Sequence, residues 1–242
     1  MRYALISDVH SNLEALEAVL SDISKRHVDK IICLGDIVGY GASPRECINL
    51  VKKNCNAILL GNHDYAVGGG VSLEYFNDNA RKAVEWTRKF IDEEDVNFLS
   101  SLPSILKEER TCFAHGTLHS PLEWGYILDE YQALLSFSEM YENNVCFIGH
   151  SHIPIAFQMD LHVEWMGFYH HLDILNDVKY IINVGSVGQP RDGISDSAYA
   201  IYDAEKFSVD LIRVNYDIKT AQKKIINAGL PKFLSERIGY GR

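Results

Sequence analysis

The sequence predicts a mixed α/β (α+β) fold: a four-layer αββα sandwich in which two mixed β-sheets pack together and helices flank them. Three observations predict it. In the first half, short apolar runs alternate with amphipathic helical segments, the pattern of parallel strands joined by helices. In the second half, strand-like segments succeed one another through turns, the pattern of antiparallel pairing. No Pro- or Ser-rich linker separates the halves, so residues 1–242 are expected to form one domain, with a C-terminal helix and tail from about 217 to 242.

Tyr3–Ile6 is a short apolar strand. Ser11-Asn12-Leu13-Glu14 then reads as a capping box, in which Ser11 accepts the third helical N–H and Glu14 reaches back. Leu13, Leu16, Leu20 and Ile23 recur at helical spacing. Ile31–Leu34 is a second strand, and Ser43-Pro44-Arg45-Glu46 opens a second helix with Pro where a missing N–H costs little. Ala57–Leu60 is a third strand. A helix is expected from about Asn79 to Ile91, carrying Ala80, Ala83 and Val84. Cys112–Ala114 and Val145–Ile148 are strands, with a helix opened between them by Asp129-Glu130-Tyr131-Gln132. Ile153–Gln158, Leu161–Met166, Lys179–Val184, Ala198–Asp203 and Ser208–Val214 are the successive strands of the second half, and Asp217 to Ala228 is a closing helix.

Composition excludes several classes. An apolar fraction of 47% is too high for a disordered chain, and no apolar run approaches the ~18–20 residues that span a bilayer. The 23 Lys+Arg against 33 Asp+Glu give a net charge of −10, which argues against a broad basic surface for nucleic acid. The N-terminal apolar run is broken by Asp8 and His10, too early for a signal peptide. Five cysteines, an odd number with no CxxC pair, read as free thiols. A cytoplasmic protein without membrane attachment is expected.

The residues at the strand ends carry the chemistry. Asp8-Val9-His10, Gly35-Asp36, Gly61-Asn62-His63-Asp64, His115-Gly116, Gly149-His150-Ser151-His152 and Gly185-Ser186 each stand at the C-terminal end of an apolar run. That edge of an α/β sheet is where ligands bind. Asp8, His10, Asp36, Asn62, His115, His150 and His152 offer imidazoles, carboxylates and an amide oxygen, and no thiolate. This donor set suits Mn, Fe or Zn. Seven donors exceed the needs of one ion with open positions, and they fit two ions sharing a carboxylate, the arrangement of hydrolytic phosphoryl chemistry.

These motifs, in this order, resemble the calcineurin-like metallophosphoesterase superfamily. Val38-Gly39-Tyr40-Gly41, Asn77 to Thr87 and Asn183 to Arg191 are similar to its small bacterial and archaeal phosphodiesterase branch, which includes diadenosine-tetraphosphatase-like sequences. The resemblance implies that Asp8, His10 and His152 hold one metal, that Asn62, His115 and His150 hold a second, and that Asp36 bridges them. It implies His63 as general acid, with Asp64 orienting its imidazole and raising its pKa. Manganese is the expected metal, with iron, zinc or nickel as alternatives. The expected activity is hydrolysis of a phosphodiester or phosphoanhydride in a small nucleotide-type substrate, by attack of a metal-bridging hydroxide. A phosphomonoesterase or protein phosphatase, a nuclease, and a non-catalytic scaffold on the same fold are the competing readings. A homo-oligomer is left open.

Other segments carry weaker expectations. Ser186 and Arg191 are candidate substrate contacts, with a structural turn as the alternative. Val67 to Tyr75 reads as a loop beside His63. Thr117 to Leu128, with His119, Trp124 and Tyr126, either gates the site or packs locally. His162, His170 and His171 read as surface residues, and nothing after Asp217 carries a recognisable motif.

Overall fold

The computed structural model describes the chain from Met1 to Arg242, apart from the side chains of Tyr75, Trp165 and Met166. Its first half runs β1 (Arg2–Ile6), α1 (Leu13–Ile23), β2 (Lys30–Cys33), α2 (Pro44–Asn54), β3 (Ala57–Ile58), α3 (Asn62–Val67), α4 (Asp78–Thr87) and α5 (Glu93–Ser100). Then come β4 (Ile105–Glu108), β5 (Thr111–Ala114), α6 (Glu130–Ser138), β6 (Val145–Ile148), β7 (Ile155–Met159), β8 (Val163–Phe168) and β9 (His171–Asp173). The chain closes with β10 (Lys179–Asn183), β11 (Ser197–Asp203), β12 (Ser208–Val214), α7 (Ile218–Asn227) and α8 (Lys232–Ile238).

Among the described residues the strands form two six-stranded sheets, ordered β3-β2-β1-β11-β12-β9 and β4-β5-β6-β10-β7-β8. Both are mixed. β1, β2 and β3 are parallel, as are β5, β6 and β10, while β11, β12, β7 and β8 pair antiparallel. The alternation of side chains along a strand divides the core. Leu5, Ile32, Leu34, Phe113, Phe147, Ile182 and Tyr202 fill the space between the sheets. Ile6, Leu16, Val19, Ile48 and Tyr199 pack the first sheet against helices, and Phe137, Ile148, Phe157 and Ile181 pack the second against α6. This is the expected αββα sandwich.

Local details depart from the sequence reading. Asn12, not Ser11, caps α1, its Oδ1 accepting the Ala15 N–H at 3.3 Å. Ser11 instead has φ 53° and donates its N–H to the Ile37 carbonyl, because the loops after β1 and β2 zip together. Ser43 begins α2 without a side-chain cap. The helix expected from Asn79 starts earlier, at Asp78, and is capped by Asn77, whose side chain accepts the Ala80 N–H. The short elements α3, α5, α8, β4 and β9 are additions to the expected set. Part of the 67–75 loop is a 3-10 turn over Leu73–Tyr75. His162, His170 and His171 are exposed as expected, and the five cysteines are free. Among the described residues, no helix is long and apolar enough to cross a membrane.

Candidate dinuclear metal centre

Parallel β1–β3 and β5, β6, β10 bring their C-terminal ends to a common seam between the sheets. Asp8 N–H donates to the Gly35 carbonyl at 3.0 Å, and His10 N–H to the Asp36 carbonyl at 2.9 Å, joining the first two loops. Gly61 lies so close to Asp36 that a Cβ would overlap its backbone nitrogen and Oδ1, so this approach requires glycine. Across the seam, His150 N–H donates to Asp8 Oδ2 at 3.0 Å, and His115 Nδ1 donates to the Leu34 carbonyl at 2.9 Å.

Three clusters of ligand atoms result, each with its atoms within 4.8 Å of one another: Asp8–His10–His152, His10–Asp36–His63 and Asp36–His115–His150. Asp36 Oδ2 lies 3.5 Å from His10 Nε2 and 3.4 Å from His115 Nε2, between the outer clusters. Asn62 joins the Asp36–His115–His150 cluster through Oδ1, 3.2 Å from His115 Nε2. All seven expected metal ligands are therefore brought to the same seam.

The donors fit cations. Each carboxylate has one oxygen anchored and one bare. The His63 backbone N–H donates to Asp36 Oδ1 at 2.8 Å, while Asp8 Oδ1 and Asp36 Oδ2 are buried without a hydrogen-bond partner. Such atoms are costly unless a ligand satisfies them. The imidazoles of His10, His150 and His152 likewise commit one nitrogen each to a backbone carbonyl. His10 Nδ1 donates to Val38 at 3.0 Å, His152 Nδ1 to Gln189 at 2.6 Å, and His150 Nε2 to Trp124 at 2.9 Å. The opposite nitrogen is left as a lone pair facing the cluster, the arrangement that orients metal-binding histidines. His10 Nε2 and His152 Nε2 face each other at 3.1 Å. Burial holds both imidazoles well below their ordinary pKa, so the two lone pairs repel unless a cation lies between them.

The charges are arranged around Asp36. Burial opposes its ionisation, but the imidazoles of His115, His63 and His10 overcome that and hold its carboxyl far below the usual range. Burial pushes Asp8 up to about 7. His115 resists burial, because Asp36 and Asp8 hold it at about 9, whereas burial draws His150 down to about 3.

His63 stands beside the ligands, its ring 4.9 Å from that of His10, and its Nδ1 is buried and unpartnered. Asp64 does not orient it. Residues i and i+1 on a helix point about 100° apart, and Asp64 turns away from the imidazole. Its Oδ1 accepts the N–H groups of Ile37 and Val38 at 3.0 and 3.2 Å, and its Oδ2 accepts that of Gly61 at 3.2 Å. The carboxyl therefore braces the loop holding Asp36. It does not raise the His63 pKa either: burial lowers that pKa to about 4, against the opposing pull of Asp36.

The centre forms the floor of a cavity of about 540 Å³. Tyr40, Phe76, Trp124 and Tyr126 supply aromatic wall, Asn77 and Glu123 polar wall, and Arg191 a cation. Tyr126 stacks on His150 at 4.0 Å and 12°, so the 117–128 loop both lines the cavity and backs a ligand. Ser186 is not on that wall. It is fully buried, its hydroxyl donating to the Asp8 carbonyl and accepting the Gln189 N–H, both at 2.8 Å. It props the first ligand loop, and so departs from the expected substrate contact. Sequence reasoning missed Phe76 and Asn77 as site residues. The signal available was their position at a helix start, with Asn77 as its cap, thirteen and fourteen residues after His63.

A model of the calcineurin-like phosphoesterase superfamily domain matches residues 1–206. An uncharacterised protein of Methanocaldococcus jannaschii is 45% identical over 245 residues, covering 99% of this chain and 98% of that protein. The crystal structure of a metallophosphoesterase from Sphaerobacter thermophilus superposes with a TM-score of 0.88 at 41% identity, over 100% of this chain and 99% of the other. The phosphodiesterase YfcE of Escherichia coli K12 is 25% identical over 216 residues, covering 86% of this chain and 91% of that protein.

Proposed function

The chain belongs to the calcineurin-like phosphoesterase superfamily, and on that premise we propose that it hydrolyses a phosphodiester or phosphoanhydride in a small nucleotide-type substrate, with two divalent cations. The observation that carries this reading is the pair of bare, buried carboxylate oxygens among lone-pair-bearing imidazoles at the floor of the cavity.

Asp8, His10 and His152 would hold one cation and Asn62, His115 and His150 the other, with Asp36 between them. Bound there, the ions supply positive charge for the phosphate oxygens and lower the pKa of a coordinated water. Manganese is the metal we propose. The residues of the chain do the rest. His63 faces the floor and donates a proton to the departing oxygen. With its pKa drawn down to about 4, it depends on the anionic substrate beside it to hold that proton. Asp64 and Ser186 keep the ligand loops in place through backbone hydrogen bonds. Tyr126 and Trp124 offer ring faces to the organic part of the substrate. The net charge of −10 disfavours a broad nucleic-acid surface while leaving a small phosphate ester acceptable.

A hydrolysis panel on Mn²⁺-loaded protein tests the reading. It comprises a chromogenic diester, cyclic nucleotides, dinucleoside polyphosphates, phosphomonoesters and a phosphoprotein. Diester or anhydride turnover that disappears on chelation is expected. Full turnover by rigorously metal-free protein overturns the proposal, and preferential turnover of the phosphoprotein replaces it with a protein phosphatase.

A further inference from the structure

Asp64 turns away from His63, so the imidazole is held by other means. The main chain of His63 is fixed, its N–H donating to Asp36 Oδ1 at 2.8 Å. Its ring is not fixed through Nδ1, which is buried without a hydrogen-bond partner. A Cβ on Gly39 would overlap that nitrogen. The Gly39 backbone, at φ 92°, therefore seals Nδ1, and Nε2 is the nitrogen left to meet a substrate in the cavity that His63 lines.

Three rings surround the imidazole. Phe76 meets it at 5.4 Å and 88°, and His10 at 4.9 Å and 85°, both in the edge-to-face arrangement that aromatic rings favour. Tyr40 packs on it at 4.4 Å with a 55° tilt, and touches His10 as well, at 4.6 Å. Tyr40 is buried, and the guanidiniums of Arg191 and Arg237 stand 5.8 and 5.9 Å from its ring centre, within cation–π distance. Its backbone is left-handed, φ 58°, a strained state for a bulky residue that persists only where the surroundings impose it. The next residue supplies that constraint: Gly41 N–H lies 3.0 Å from the His10 carbonyl and 2.7 Å from that of Gly39. Phe76 comes from the segment between α3 and α4, directly ahead of the Asn77 cap, and lines the cavity.

We propose that Tyr40 and Phe76 are positioning residues for His63, forming with His10 an aromatic box that holds the imidazole in place of a hydrogen-bonded carboxylate. Ring packing fixes where Nε2 lies without committing a proton to either nitrogen. The inference rests on the phosphoesterase reading, in which His63 hands a proton to the departing oxygen. A displacement of about 1 Å is enough to lose much of such a group's effect.

Hydrolysis of bis(p-nitrophenyl) phosphate by the Mn²⁺-loaded wild type examines the phosphoesterase reading alone. NMR of ring-13C-labelled histidine in the Zn²⁺-loaded chain examines the box whether or not any ester is cleaved, with His63→Ala identifying the His63 signal. The wild type should show one sharp His63 signal. Phe76→Leu and Tyr40→Leu should each broaden or split it, while the signals of His115 and His150 stay sharp. Turnover is compared on diphenyl phosphate, because phenoxide leaves less readily than p-nitrophenoxide and needs the proton more. Each variant should lower kcat there by about tenfold with metal content unchanged, and Tyr40→Phe, which keeps the ring, should restore most of the loss. In a His63→Ala background the same substitutions should cost less than about twofold, because the group they position is gone. A sharp His63 signal in both variants, or a loss of kcat as large without His63 as with it, overturns the box. Phe76→Leu carries the decision where Tyr40→Leu unseats the ligand loops.

Discussion

Asp8, His10, Asp36, His150 and His152 all stand in left-handed backbone, with φ between 49° and 65°, at the ends of core strands. Arg191, Tyr126 and Trp124 reach the same cavity from loops. Positions of the first kind cost on the order of 1–3 kcal/mol each and persist where the surroundings over-determine them. Here the surroundings are backbone hydrogen bonds between neighbouring loops, together with Asp64 and Ser186 bracing from behind. The floor is thus fixed before any ligand arrives. What the rim offers is ring faces and charge. The difference separates two tasks. On the proposed reading, the floor would set which bond is broken and the rim what else the substrate can carry.

The largest effect belongs to the floor. Asp36→Asn keeps the shape and removes the charge shared by the two ligand clusters. Its kcat/KM should fall by about 10³-fold, with less metal per chain by elemental analysis. Activity within tenfold of wild type would move the chemistry away from the floor. His63→Ala comes next. Its kcat should fall by about 10²-fold while metal content stays at the wild-type level. Loss of metal in this variant would make His63 a ligand, a role that its place in the His10–Asp36–His63 cluster makes worth measuring.

The same division governs how much of the molecule is legible in the sequence. The ligands can be read because each comes just after a short apolar run, and parallel strands deliver their C-terminal ends to one edge. The two-sheet sandwich is legible for a related reason, since strand–helix alternation gives way to consecutive strands at Val145. Roles that depend on side-chain direction are not. His63 and Asp64 are adjacent in sequence, and adjacency suggests contact, but a helix turns them apart. Ser11 fits the capping-box pattern, but the loop zipped to Ile37 moves the cap to Asn12. α8, at seven residues, is too short for periodicity to declare it, so the sequence cannot place Arg237 beside Arg191, 46 residues upstream.

A smaller effect examines the rim without touching its charges. Trp124→Ala removes an indole that lines the cavity while leaving the backbone carbonyl that accepts from His150 Nε2. Ring stacking is worth about 0.5–1.5 kcal/mol, so KM should rise by about two- to tenfold, with kcat changed less. A fall in kcat matching that of His63→Ala would mean that the loop helps to hold the floor, and the division between floor and rim would fail at His150.

The smallest effect lies away from both regions, on α1. Arg26 Nε donates to Asp22 Oδ2 at 2.6 Å, and the Tyr199 hydroxyl donates to the same oxygen at 2.7 Å, tying the helix to β11. Burial pushes the Asp22 carboxyl up, but these two hydrogen bonds outweigh it and its pKa is lowered. A carboxyl with a lowered folded pKa contributes stability above its unfolded pKa, and loses it as pH falls through the folded value. Asp22→Asn should therefore cost under about 1 kcal/mol at pH 6 by urea denaturation, and the gap to wild type should close as pH falls below about 4. Activity per folded molecule should be unchanged, because α1 meets the floor through Asn12 and not through Asp22. If the cost instead exceeded about 2 kcal/mol, or activity fell with it, the strain stored in the ligand loops would be offset by the helix anchor as well as by the loops' own hydrogen bonds. The floor would then extend further into the scaffold than its distances suggest.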